Sequence, residues 1–176
     1  MKGSRGIRKG LFPALLALVA LLLSVSLFAL DQFQKTQEFQ PAMVVRVVDG
    51  DTLIVKQRGV DYRLRLIGID APESVNPDNS KNTPEGELAS EFLKKLLPPG
   101  TTVYLQKDVS ETDRYDRLLR YVWLEVPKNP DSSREVEEKM VNAIIVRYGH
   151  AEAKRYPPDT RYSPYFEAIY DKYQRR

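Results

Sequence analysis

The chain has 176 residues, a length that suits one domain with appendages. It has no cysteine and one histidine, His150, so disulfides, thiolate sites and multi-histidine zinc centres are excluded, and any bound metal needs oxygen ligands. The net charge of +3 says little about partners: Lys2, Arg5, Arg8 and Lys9 stand before any acidic residue, and without them Asp and Glu (24) outnumber the rest of the 27 Lys and Arg.

Residues 1–9 are basic and residues 11–30 (LFPALLALVALLLSVSLFAL) are almost wholly apolar. A long terminal run behind positive charge reads as an export segment, residues 1–30, and not as a core helix. About 20 apolar residues cross a bilayer, which this run just reaches. That length favours an uncleaved transmembrane anchor, while Ser24-Val25-Ser26 offers a small-x-small site for cleavage and release. The leading charges place the rest of the chain outside the cytoplasm in either case. Residues 31–41 (DQFQKTQEFQP), polar and Gln-rich, read as a tether to a domain at 42–176.

Period-two patterns open that domain. Val44, Arg46 and Val48 alternate with Val45, Val47 and Asp49, Asp49-Gly50 signals a tight turn, and Thr52 to Val55 forms a second strand. After Arg58-Gly59, Tyr62, Leu64 and Leu66 alternate with Arg63, Arg65 and Ile67 as a third. Residues 74–83 (SVNPDNSKNT) read as an exposed loop. A helix follows from Pro84, capped by Thr83, with Leu88, Phe92 and Leu96 along one side and Pro98-Pro99-Gly100 as its stop. Strands are expected at Thr102 to Lys107 and Arg117 to Glu125, then a polar insert, a helix from Glu135 to Tyr148, and a last helix from Ser163. Five strands with a helix after the third predict an α+β fold: a five-stranded OB barrel with about three covering helices, preceded by the apolar N-terminal helix.

Three clusters carry chemistry. Asp49-Gly50-Asp51-Thr52, read alone, is a hairpin turn, but Asp51 stands where it can aim a carboxylate at a cation. Arg65-Leu66-Ile67-Gly68-Ile69-Asp70-Ala71-Pro72-Glu73 sets a guanidinium and two carboxylates at the end of an apolar strand. Read alone that is a surface ion pair, yet burying such charge without a role is costly. Strict alternation puts Arg65 and Asp70 on opposite faces, so a shared site requires a break, with a bulge expected at Gly68. Thr112-Asp113-Arg114-Tyr115-Asp116-Arg117 is either a solvated turn or a phosphate clamp, since Arg holds phosphate through paired hydrogen bonds and Tyr adds another. Together the clusters contain what phosphodiester hydrolysis needs. A hard cation on Asp51 and Asp70 polarises a phosphoryl oxygen, Arg65 and Arg117 offset charge developing on phosphorus, and Glu73 takes a proton from water. Calcium suits an all-oxygen site outside cells.

VVDGDTLIV, RLRLIGIDAPE and TDRYDRLLRYVW, in that order, resemble three hallmark segments of the staphylococcal nuclease (thermonuclease) family, and MVNAIIVRYGHA resembles the helix that follows them. The similarity runs from about Val44 to the C-terminus. The resemblance implies an OB barrel with three helices. It implies that Asp51 and Asp70 are calcium carboxylates, with the Ala71 carbonyl a further ligand. Arg65 and Arg117 match the catalytic arginines, Glu73 the general base, Asp49 an acidic position outside the ligand set, and Arg114 and Tyr115 contacts to a terminal phosphate. The base-stacking tyrosine aligns best with Tyr156, with Tyr148 and Tyr162 as alternatives. The family cuts DNA and RNA at the 5′ P–O bond and leaves 3′-phosphates. This sequence departs from it at Asp116 and Leu118, where the archetype has glycines, and in a longer insert at 126–135. His150, without an acidic partner in sequence, is read as structural or surface.

The expectation is therefore a calcium-dependent nuclease acting as a monomer on DNA, RNA or both outside the cytoplasm, anchored to the membrane or secreted. The rivals are a non-catalytic nucleic-acid- or protein-binding module and a narrower phosphodiesterase for small nucleotides. Retention of Asp51, Arg65, Asp70, Glu73 and Arg117 together argues against the first.

Overall fold

The computed structural model describes residues 8–75, 78 and 82–174; the first seven residues and part of the 74–83 loop lie outside these. A boundary between Gln37 and Glu38 divides the chain into two units. The N-terminal unit is helical: α1 spans Arg8–Glu38. Its stretch Ala14–Gln34 has a mean hydropathy of 2.4 and none of it is buried. At 1.5 Å per residue that is about 30 Å, enough to cross a membrane. The helix runs on past Leu30 through much of the polar stretch, and the first strand begins at Gln40.

In the second unit, β1 (Gln40–Asp49), β2 (Thr52–Gln57), β3 (Val60–Leu66), β5 (Thr102–Gln106) and β6 (Leu118–Trp123) close a barrel in the order β1-β2-β3-β6-β5. β3 and β6 run parallel and the other neighbours antiparallel, the OB arrangement expected. β4 (Ile69–Asp70) and β7 (Glu152–Ala153) form a second, two-stranded sheet. Two register shifts in β1, after Val44 and after Val47, break the simple alternation and leave Ala42, Val44, Val47 and Asp49 on the buried side. Inside the unit, Trp123, Tyr121, Tyr162 and Phe166 pack with Leu53, Leu64 and Leu66.

α2 (Pro84–Leu96) starts as expected, with the Gly86 amide donating to Thr83 Oγ1 at 3.0 Å. Its buried residues are Gly86, Ala89, Ser90 and Leu93, and Leu88 is exposed, so the helix is rotated from the expected Leu88-Phe92-Leu96 line. Gly86 explains this: a side chain there would overlap the Glu73 carbonyl, so the first turn seats directly on that backbone. The expected helix from Glu135 to Tyr148 is two, α3 (Ser133–Lys139) and α4 (Val141–Arg147). Met140 between them is extended and bridges to Trp123, and the Leu124 amide donates to the Lys139 carbonyl at 2.9 Å. A contact to β6 thus replaces one helical turn. α5 (Ser163–Tyr173) follows as predicted and places Phe166 against Gly68.

Candidate active site

The turn at Gly68 assembles the site. β3 ends at Leu66, and Gly68, at φ +81°, sends the chain out of the barrel to pair with β7. The expected break is present, as a turn between two sheets and not as a bulge within one. Positive φ favours glycine here, and so does space, because a Cβ would lie 2.5 Å from Phe166 Cε2. In consequence Arg65 and Asp70 meet: Arg65 Nη2 is 3.0 Å from Asp70 Oδ1, and Nη1 is 2.6 Å from Asp51 Oδ2. One guanidinium spans two carboxylates contributed by separate strand ends.

Asp51 sits in the β1–β2 turn and is 3% exposed. Thr52 Oγ1 donates to its Oδ1 at 3.0 Å, and the Ala71 amide approaches Oδ2 at 3.4 Å. Burial pushes the Asp51 pKa up, against the opposing pull of Arg65. Asp49 Oδ1 accepts from the Gly50 amide at 2.8 Å and from Ser74 Oγ at 2.6 Å. Gly50 is wedged between Ala71 and Ala89, whose Cβ atoms would each lie 2.8 Å from a Cβ added there. This close packing fixes the hairpin against the segment that carries Asp70 and Glu73. The backbone of Glu73 is fixed as well, since its carbonyl accepts from the Thr83 amide at 2.9 Å and closes the loop between them. Withdrawal from water, then the charges of Asp49 and Asp51, push the Glu73 pKa up.

Asp113 organises the opposite wall. Its Oδ1 accepts from the amides of Tyr115 (2.9 Å) and Arg117 (3.1 Å), and its Oδ2 from Arg117 Nε at 2.7 Å. The loop thereby aims the Arg117 guanidinium, which also lies 5.5 Å from the Tyr115 ring centre, with Arg114 at 4.7 Å from the same ring. Asp116 takes φ +57°, a conformation Asp tolerates better than most side chains, where the archetype has glycine.

Two clefts adjoin at these walls. The inner one, about 240 Å³, is lined by Asp49, Asp51, Arg63, Arg65, Glu73, Tyr115 and Arg117 among others. The outer one, about 540 Å³, shares Arg65, Tyr115 and Arg117 and adds Arg114, Tyr156 and Pro157. Thus Arg65, Glu73, Arg117 and Asp51 line one space, with Asp70 and Ala71 tied to it through Arg65 and Asp51. Arg114, Tyr115 and Tyr156 line the next. Tyr162 is not available to stack on a base, because it is fully buried in the core. Tyr148 packs on Phe92 at 5.1 Å and lines neither cleft. His150 lies over the Phe92 ring at 4.5 Å and lines a separate cleft with Asp70 and Ala71.

Four residues of the site were not singled out in the sequence: Asp113, Ser74, Arg63 and Lys154. Lys154 Nζ lies 2.6 Å from Asp70 Oδ2, brought there by the pairing of β4 with β7. Only Asp113 had a local signal, an Asp two residues before Tyr115 and four before Arg117 in a turn.

Among the described residues, no three His, Cys, Asp or Glu side chains form a metal cage. What the site offers is two carboxylates joined by Arg65, one of them, Asp51, also accepting from the Ala71 amide. That donor set fits a hard cation that fills its remaining positions with water, as calcium does. Buried Asp51, whose charged form is penalised, is the carboxylate with most to gain from such an ion.

A family model described as staphylococcal nuclease homologue matches residues 63–176. The chain is 39% identical over 134 residues to a thermonuclease of Staphylococcus intermedius, covering 76% of this chain and 71% of that one. It is 40% identical over 128 residues to a thermonuclease of Staphylococcus hyicus, covering 73% and 68% respectively.

Proposed function

Because the chain belongs to the staphylococcal nuclease family, we propose that it is a calcium-dependent phosphodiesterase acting on DNA, RNA or both outside the cytoplasm. That it is a nuclease, a hydrolase of nucleic acid, follows from its thermonuclease relatives. The observation that carries the finer reading is the convergence of Asp51, Arg65, Glu73 and Arg117, from three separated segments, on one cleft.

A phosphodiester in the inner cleft meets two guanidiniums, whose paired N–H groups match the oxygens of a phosphate in flight to five-coordination. A water oxygen forms the new bond to phosphorus and gives its proton to Glu73. The P–O5′ bond breaks, its electron pair stays on the 5′ oxygen, and that oxygen takes a proton from solvent, leaving a 3′-phosphate. The nucleoside lies along the outer cleft against Tyr156, with Arg114 and Tyr115 on a terminal phosphate. Asp51, Asp70 and the Ala71 carbonyl would hold a calcium ion, which when bound would supply Lewis-acid polarisation of a phosphoryl oxygen. Carboxylates otherwise engaged with Arg65 pre-organise the site without it. The exposed apolar stretch of α1 supports attachment to a membrane, or passage across one if it is cleaved.

The test is to incubate the full chain in detergent with DNA and with RNA, in calcium or in chelator. Absence of cleavage in calcium sinks the enzyme reading and leaves a binding module. Equal cleavage in chelator sinks the metal. Arg117→Ala is expected to lose about 10²-fold or more in kcat, on the scale of a lost oxyanion donor.

A further inference from the structure

Arg63 stands apart from the other arginines of the inner cleft. It lies two residues before Arg65 on β3, on the same outer face, with Leu64 and Leu66 turned into the barrel. Arg65 is held by Asp51 and Asp70, and Arg117 by Asp113. Arg63 is exposed, and its side chain makes no ion pair or hydrogen bond with any described residue. Its cross-strand neighbour is Ile54, which offers no acceptor. The next carboxylate along its face, Asp61, is engaged by Lys56 at 3.4 Å. A guanidinium left unsatisfied at the mouth of an anion-binding cleft does nothing for the fold, and its charge is free for a ligand.

Position says which ligand. Arg63 lines the inner cleft only, and Tyr156 the outer cleft only, with Arg65, Tyr115 and Arg117 between them. Two residues of strand advance about 6.8 Å, a step of the same order as that between neighbouring phosphates of a polynucleotide. We propose that Arg63 is a subsite for the phosphate next to the scissile one, on the side away from the Tyr156 cleft, so that the chain selects polynucleotides over single diesters. The proposal rests on the nuclease reading above.

The full chain and its Arg63→Gln and Arg63→Lys variants are compared on a dinucleotide, which has one diester, and on longer oligonucleotides across a range of salt. The wild type is expected to gain kcat/KM from dinucleotide to oligonucleotide. Arg63→Gln should lose about tenfold of that gain, and its salt slope should fall by about one. Arg63→Lys should keep the slope. An oligonucleotide-to-dinucleotide ratio in Arg63→Gln equal to that of the wild type overturns the proposal. Fluorescence anisotropy with an uncleavable phosphorothioate oligonucleotide separates the two failures. If no protein cleaves, the nuclease reading falls, and the salt slope of binding still decides on Arg63.

Discussion

The Lys154 ammonium sits 2.6 Å from Asp70 Oδ2, on the carboxylate oxygen that Arg65 does not hold. Burial raises the Asp70 pKa, but Lys154 and then Arg65 outweigh it and hold the group below its ordinary 3.8. A carboxylate shifted this way stabilises the fold above its unfolded pKa, and that contribution disappears as pH falls through the lower folded value. Lys154 also competes with any cation for Asp70. Lys154→Met should therefore raise calcium affinity about two- to fivefold, the scale of an exposed ion pair, in isothermal titration calorimetry. Without calcium, its acid unfolding should begin at higher pH than in the wild type. A fall in calcium affinity would show instead that Lys154 holds Asp70 in its binding position.

Glu73 moves in the other direction. Withdrawal from water, then Asp49 and Asp51, raise its pKa, and a base must be ionised to act. The kcat profile should rise with pH as Glu73 ionises, and a cation bound beside it should move that limb below the pH at which the metal-free carboxyl titrates. Asp49→Asn removes one neighbouring charge and should move that limb to lower pH. Glu73→Gln should abolish the limb and cost about 10²–10⁴-fold in kcat. The stability sign is opposite to that of Asp70: a carboxyl with a raised folded pKa loses stability as pH rises through it. The metal-free Glu73→Gln protein should therefore melt higher than the wild type at neutral pH, a trade of stability for function.

The parts of this site that were legible share one property: each lies in a short segment whose chemistry and geometry are local. Asp51 follows a turn dipeptide, and Arg65, Asp70 and Glu73 fall within nine residues, where the failure of alternation itself pointed to Gly68. The barrel was legible for the same reason, since its strands carry alternation and turn signals. Lys154 was not, because β7 is only Glu152–Ala153, too short to carry a period, and its partner lies 84 residues away. The break at Met140 was hidden because Val136, Met140 and Ile144 keep helical spacing on both sides of it. The rotation of α2 depends on Gly86 meeting the Glu73 backbone, which no periodicity in α2 reports. Arg63 has the sequence context of any exposed strand arginine, and only the pairing of Asp61 with Lys56 sets it apart.

Asp113 accepts two backbone amides on Oδ1 and the Arg117 guanidinium on Oδ2. Asparagine keeps the backbone acceptor and discards the charge, whereas alanine discards both. Asp113→Asn should keep the two amide bonds on Oδ1 but lose the Arg117 pair, at a cost of about 1 kcal/mol in stability, and change KM and kcat by letting Arg117 wander. Asp113→Ala should lose about 1–3 kcal/mol, because the Tyr115 and Arg117 amides lose their acceptor. Wild-type activity in both variants would show that Arg117 does not depend on Asp113 for its aim.

Gly68 ties the fold to the site more closely than any charged residue does. A side chain there meets two separate penalties. Left-handed φ costs about 1–2 kcal/mol for an L residue, and forcing a methyl into the Phe166 ring costs about 1–3 kcal/mol more. Gly68→Ala should therefore lose about 2–5 kcal/mol, at roughly 2–4 °C of melting temperature per kcal/mol for a chain of this size. Phe166→Leu opens room above Cα but leaves φ untouched, so the double variant should recover only the packing part, and a double-mutant cycle measures the split. Full recovery would mean that backbone conformation contributes nothing. Calcium titration of Gly68→Ala then asks about function. If this turn alone brings Asp70 to the guanidinium that also holds Asp51, calcium affinity should fall in the folded variant, although no ligand and no catalytic group has been changed.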